Sequence, residues 1–434
     1  MTLAAGPGLQ VGDEYALGLL FAGLALYVAI GALSHEHERA WSAAVIYLAL
    51  GLTAAVGLNV LGIAPLDPFE DELLLQRLTE IAIVLAIFSA GLSVAKLVST
   101  RQWRSVAVLL VVVMPLTIGA VALFATQAMG LSLGAAIVLG AILAPTDPVL
   151  AGDVGLSPPG EHDTADDPHF SLHTEAGLND GLAFPFVLAG LLIAEEGGAG
   201  WAGEWLLADV VYGLAVATAV GAAGGYCIAA AHVRLRDREL LAHDFDAFVA
   251  LASVLVVYGL VELIGAYGFV AVFWAGFAYR RYEFEHEVNR QIHDGADEYA
   301  KLFELAVLLV LGSLVTWEGL GEPGLAGWLL APLLILLVRP AIVLALSTGS
   351  LLSWGQRFFL GWFGVRGIAT IFYAAYVVHS GALSRGEEST VFWTAVAVVL
   401  VSVVVHGVSA APLTRRLLGR APAPSPSSPE GQGR

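Results

Sequence analysis

The sequence has 434 residues and little charge: Asp, Glu, Lys and Arg make up 13 % of them, about half the share found in a soluble domain. Lysine is nearly missing, present only as Lys96 and Lys301, so the basic character rests on arginine. The single cysteine, Cys227, excludes a disulfide framework and a cysteine metal site; it reads as a small residue packed between helices. Acidic residues outnumber basic ones and leave a formal net charge of −18, which disfavours nucleic acid as a partner. No Walker-type phosphate loop occurs, so use of ATP is not expected. The first 14 residues are Gly-rich, carry Asp13 and Glu14, and lack the basic stretch of a cleavable signal peptide, so the first apolar run is expected to be retained.

What the chain has is apolar length. Hydrophobic residues make up 58 % of it, in continuous runs of about 20 residues rather than in the alternating pattern of a barrel. This predicts an all-α polytopic membrane protein with about thirteen transmembrane helices. The expected spans are 15–33, 41–63, 73–95, 105–129, 132–152, 171–194, 204–231, 244–264, 267–280, 300–315, 324–348, 355–379 and 390–414. With that count nearly all the arginines and lysines between spans fall on one side, and only Arg77 and Arg385 on the other. The arginine-rich side is the cytoplasm, which places the N-terminus outside and the C-terminus inside. Residues 1–420 read as one transmembrane domain, and 421–434, rich in Pro and Ser, as a disordered cytoplasmic tail. The charged linker 282–299 reads as an interfacial helix between two halves. Gly221 to Gly225 reads as a small-residue helix contact.

Chemistry concentrates in three places. The first is His173-Thr174-Glu175-Ala176-Gly177-Leu178-Asn179-Asp180, near the start of a long apolar run. Glu175 and Asn179 are four residues apart and share a helix face, with Asp180 beside them. Ionisable groups at membrane depth are costly and point to function; the alternative is a helix start in the headgroup region. The second is Ala144-Pro145-Thr146-Asp147-Pro148. Two prolines around Thr-Asp break a helix, and carbonyls freed at that depth must face protein or a water-filled cavity. Discontinuous helices of this kind hold ions in transporters; the alternative is a cap at the cytoplasmic end. The third is Gly361-Trp362-Phe363-Gly364-Val365-Arg366-Gly367. Arg366, and Arg339 in the preceding span, must meet a carboxylate, a carbonyl or a helix C-terminus, or else snorkel to the interface.

Two arginines against three acids leave one carboxyl group free to bind a proton or a cation, which describes an ion exchanger. Other classes fit less well. A channel would show a filter-like repeat or an acidic ring. An intramembrane hydrolase using Asp147 and Asp180 as a dyad would leave the arginines and the proline break unexplained, so the protein is not read as an enzyme. His35 and His37 read as part of a solvated loop, as does the acidic stretch 161–167. His169 and His173 lie near the cytoplasmic mouth, as pH sensors or simple interface residues, while His379 and His406 read as hydrogen-bond partners between helices.

Thr146-Asp147-Pro148 in one span, Glu175-x3-Asn179-Asp180 in the next and the later Gly364-x-Arg366-Gly367 resemble the monovalent cation/proton antiporters of the sodium/proton exchanger type, the NhaP-like electroneutral branch. The resemblance runs from about residue 15 to 418. It implies an inverted-repeat fold with two crossing broken helices, with 132–194 and 324–379 in the ion-translocating bundle. It implies a sodium or lithium/proton antiporter of the cell membrane that works in pH homeostasis as a homodimer without a cofactor; the alternative is potassium/proton exchange. Asp180 would carry the ion or proton, with Asn179 beside it; an Asn-Asp pair marks one-for-one exchange. Asp180 and Thr146 would be ligands of sodium, a hard cation that takes oxygen. Glu175 would pair with Arg339, Asp147 would stabilise the crossing, and Arg366 would offset the half-helix dipoles opposite Thr146-Asp147-Pro148. Several prokaryotic relatives carry a serine after the glutamate; this chain has Ala176, so another oxygen must replace that ligand.

Overall fold

Continuous apolar runs satisfy their backbone in lipid only as helices, and every regular element among the described residues is a helix. The computed structural model describes residues 20–21, 23–28, 31, 42–63, 66–94, 100–148, 168–241, 246–286, 290–346 and 353–418. After a helical stretch at 23–28, the helices are α1 (Ala43–Leu61), α2 (Glu72–Leu92), α3 (Gln102–Met129), α4 (Leu133–Leu143), α5 (Pro168–Glu196), α6 (Ala202–Asp237) and α7 (Asp246–Leu263). There follow α8 (Gly268–His286), α9 (Arg290–Ser313), α10 (Gly324–Leu346), α11 (Trp354–Trp362), α12 (Ile368–Ser380) and α13 (Arg385–Leu418). They fall on the expected spans from 41–63 onward, with α11 and α12 sharing 355–379, and seven are long and apolar enough to cross a membrane unaided. The fold is an all-α polytopic membrane protein.

Two spans are broken. Helix α4 stops at Leu143, and Pro145 to Asp147 are non-helical, as expected where two prolines remove N–H groups. Helices α11 and α12 are separated by the unwound stretch 363–367. The shortest expected span, 267–280, forms the complete helix α8. Helix α10 contains a π-helical turn, Leu334–Val338, just before Arg339-Pro340. The wider turn accommodates an inserted residue ahead of the position where Pro340 has no N–H to donate.

Helix α2 is central: 72 % of its most apolar window is buried inside the molecule, against 17 % for α6 at the rim. Helix α6 lies along α8, and Gly221 and Gly225 mark the seam. A Cβ on either would stand 2.2 or 2.1 Å from the carbonyl oxygen of Ala271 or Ala275, so the two backbones touch. Lipid tails are as apolar as the side chains, and close backbone approach of this kind is what holds such helices together. Site helix α5 also packs through glycines, Gly177 against the Ala90 side chain of α2 and Gly181 against Val270 of α8.

Two expectations change. Cys227 is exposed; on α6 it lies two residues past the Gly225 face and points away from α8. The linker 282–299 is not a separate interfacial helix: its described residues extend α8 to His286 and start α9 at Arg290. Asp297, itself exposed, accepts a hydrogen bond from Ser89 Oγ of α2. Residues 32–41, 149–167 and 421–434, with His35, His37, the acidic loop and the tail, lie outside the described residues, as does the side chain of His169.

Candidate functional site

The two breaks meet. The Asp147 N–H donates to the Val365 carbonyl at 2.8 Å, a main-chain bond between two unwound stretches. Each stretch also sends its charged side chain to the other's helix end. The Asp147 carboxylate accepts from the Ile368 N–H at 3.1 Å, at the start of α12. The Arg366 guanidinium donates through Nη1 to the carbonyls of Ala144 and, at 2.7 Å, Pro145, just past the end of α4. Anion at a helix N-terminus and cation at a C-terminus are the favourable signs for the helix dipole. Arg366 therefore meets carbonyls and not the Asp147 carboxylate, which differs from a simple pairing of charges.

The glycines make this approach possible. A Cβ at Gly367 would stand 1.9 Å from Asp147 Oδ2, and one at Gly364 would stand 2.1 Å from Arg339 Cδ. Arg339 in turn donates to Glu175 Oε2 at 2.7 Å, with both side chains buried. A buried ion pair recovers part of the desolvation cost of its partners, and removing one partner leaves the other charge uncompensated.

Asn179 and Asp180 follow one turn along α5. Asn179 Nδ2 donates to Thr146 Oγ1 at 2.8 Å, tying α5 to the first break. Asn179 Oδ1 and Asp180 Oδ1 are buried without a hydrogen-bond partner, and Asp180 is 1 % exposed. Of the three buried acids at the crossing, Glu175 is committed to an arginine and Asp147 accepts from backbone, while among the described residues no basic side chain forms an ion pair with Asp180. Thr146, Asp147, Glu175, Asn179, Asp180, Arg339 and Arg366 are thus all buried around one crossing.

Two contributors, Tyr373 and Ser402, carried no signal in the sequence, and His406 was expected only as a partner between helices. The Tyr373 hydroxyl donates to the Asp180 carbonyl, and its ring packs with Phe184, which also meets Tyr376. Ser402 Oγ accepts from the Arg366 N–H at 2.7 Å. His406 Nε2 lies 3.0 Å from the Trp362 carbonyl and its Nδ1 lies 3.2 Å from Ser402 Oγ. Nδ1 also lies 2.9 Å from the Ser402 carbonyl, so each ring nitrogen faces a main-chain carbonyl that can only accept. His406 is a helix-packing partner in that sense. His379, half exposed, instead meets Glu72 at 3.3 Å. His173 sits half-buried at the start of α5.

The chain is similar to known proteins in sequence and in fold. The chain is 27 % identical over 329 residues to the Na(+)/H(+) antiporter 2 of Zygosaccharomyces rouxii, covering 71 % of this chain and 39 % of that protein. It is 28 % identical over 250 residues to the K(+)/H(+) antiporter NhaP of Alkalimonas amylolytica, covering 57 % and 41 %. The chain thus spans less than half the length of these relatives. In fold it is similar to the sodium proton antiporter MjNhaP1 from Methanocaldococcus jannaschii, with a TM-score of 0.72, 19 % identity, and coverage of 97 % of this chain and 100 % of that one. The description "sodium/hydrogen exchanger, transmembrane" matches residues 15–416. The chain belongs to the transmembrane sodium/hydrogen exchanger family, a family of antiporters and not of enzymes.

Proposed function

We propose that this protein exchanges sodium or lithium for protons across the cell membrane, one for one, by alternating access around Asp180. The observation that carries the reading is the buried, unpartnered Asp180 Oδ1 beside the equally unpartnered Asn179 Oδ1, with Thr146 within reach of Asn179. A carboxylate out of water is costly unless something balances it, and a proton or a hard cation held by oxygens does so. The same group carries either, never both, which is the logic of exchange. Asn179 takes up no proton, so one exchangeable charge moves per step and no net charge crosses. The bundle built on 132–194 and 324–379 rocks against α1, α2 and α6–α9.

Residues 1–420 form the transport domain, with the N-terminus outside and the C-terminus in the cytoplasm by the distribution of arginine. The exposed apolar residues of α6, such as Leu207 and Val211, face lipid or a second copy in a homodimer. The reading places the protein in pH homeostasis and calls for no cofactor. A second reading, potassium/proton exchange, is favoured by the similarity to the potassium/proton antiporter of Alkalimonas amylolytica. The test is proton flux in proteoliposomes on adding sodium, lithium or potassium. Asp180→Ala is expected to abolish it; exchange at the wild-type rate in that variant overturns the reading. An imposed membrane potential is expected to leave the exchange equilibrium unchanged; a shift overturns the one-for-one stoichiometry.

A further inference from the structure

Threonine hydroxyls inside these helices return to the carbonyl one turn back, as Thr79 does to Leu75 and Thr117 to Val113, each at 2.8 Å. Thr370 does not. It lies in the first turn of α12, and four residues back stands Arg366, whose carbonyl belongs to the unwound stretch. The Thr370 N–H turns to the Gly367 carbonyl at 3.2 Å. The hydroxyl is left buried, with the residue 1 % exposed, and Oγ1 has no hydrogen-bond partner. An unpaired hydroxyl in such a place is destabilising, and an unsatisfied buried group of this kind calls for an explanation such as a functional role or an ion.

The position of Thr370 says which role. Gly367, three residues before it, packs on the Asp147 carboxylate. Tyr373, three residues after it, reaches the Asp180 carbonyl. Residues three apart are neighbours on a helix face, so Thr370 stands between these two contacts, about 4.5 Å along the axis from each. The same crossing encloses the unpartnered oxygens of Asn179 and Asp180, while Ala176, fully buried, offers no side-chain oxygen.

We propose that the Thr370 hydroxyl is a further oxygen ligand of the transported monovalent cation, completing the set around Asn179, Asp180 and Thr146. This rests on the exchange reading above, and the test separates the two. The full chain is reconstituted in liposomes, and exchange is followed with a pH-sensitive dye over sodium and lithium concentration series. Thr370→Val keeps the shape and removes the oxygen. Its apparent KM for the cation is expected to rise roughly tenfold, the size of one interaction with a charged partner, with the maximal rate nearly kept. Thr370→Ser is expected to restore the wild-type KM. An unchanged KM in Thr370→Val overturns the proposal, as does an equal fall in maximal rate in both variants, which a packing role gives. Where Thr370→Val does not fold, Thr370→Ala is read in the same way.

If the wild-type protein exchanges no cation, the exchange reading fails, and the ligand is judged by the thermal stabilisation that sodium gives the purified protein. A half-effect concentration roughly tenfold higher in Thr370→Val supports the proposal. An equal concentration in the two proteins, or no stabilisation of wild type by sodium, overturns it.

Discussion

The crossing of the two broken helices and the seam between α6 and α8 are both tight helix contacts rich in glycine, built on opposite physics. At the seam Gly221 and Gly225 bring backbone to backbone with no charge involved. The gain there is dispersion, spread over many atoms and lost gradually. At the crossing Gly364 and Gly367 make room for charged side chains, and each charge has a specific mate: Arg339 with Glu175, Arg366 with the α4 carbonyls, Asp147 with the start of α12. Loss of one mate there strands a buried charge. The seam is therefore suited to a scaffold that tolerates small changes, and the crossing to an element that holds one geometry or none.

The largest effect is expected from breaking a pair at the crossing. Arg339→Ala leaves Glu175 buried and alone, at a cost of about 3–5 kcal/mol, read as a fall in the thermal midpoint of the purified protein. Adding Glu175→Gln is expected to recover most of that loss, and reversing both charges to recover part; additive losses would show that the two residues do not act as a pair. The seam is expected to be more forgiving. Gly225→Ala places a methyl 2.1 Å from the Ala275 carbonyl oxygen, so α6 must move outward, at about 1–3 kcal/mol. Cation-driven proton flux per folded molecule is expected to stay near wild type in liposomes, because the seam touches no site residue. Flux lost in Gly225→Ala at unchanged folding would erase the distinction between the two regions.

The comparison also explains what could be read from the chain. Charges and prolines stand out in an apolar run because lipid penalises them, so Glu175, Asp180, Arg339, Arg366 and the Pro145–Pro148 break were visible before any contact was known. Span positions were visible for the same reason. Tyr373, Ser402 and Thr370 were not, since a hydroxyl costs little in a helix that can satisfy it locally; their importance arises from which helix faces which. The N-terminal half of α2 hides a similar case. Glu80 is buried there between Arg77, at 2.5 Å, and the Tyr258 hydroxyl of α7, a partner far off in the chain that the sequence does not reveal. The outward direction of Cys227 was hidden because helix rotation depends on the glycines that face the partner. Linker 282–299 was misread because a charged segment can run as the end of a long helix when its acids find partners, as Asp297 does with Ser89.

A milder change at the crossing is Ser402→Ala. It removes the acceptor for the Arg366 N–H but leaves His406 Nδ1 the Ser402 carbonyl at 2.9 Å, and a hydrogen bond between membrane helices averages about 0.6 kcal/mol. A small drop in thermal midpoint is expected, and a drop as large as that of Arg339→Ala would mean that Arg366 depends on Ser402 rather than on the α4 carbonyls. The smallest effect on stability is expected where the effect on transport is greatest. Asp180→Asn keeps the size of the side chain and removes a charge whose Oδ1 has no partner, so no mate is stranded and a desolvation cost is relieved. The thermal midpoint is expected to stay within a degree or two of wild type, or to rise, while cation-driven proton flux disappears. A fall comparable to that of Arg339→Ala would make Asp180 one more structural charge of the crossing, and the exchange site would then have to be sought elsewhere. An unchanged midpoint with lost flux would separate the acid that works from the acids that hold.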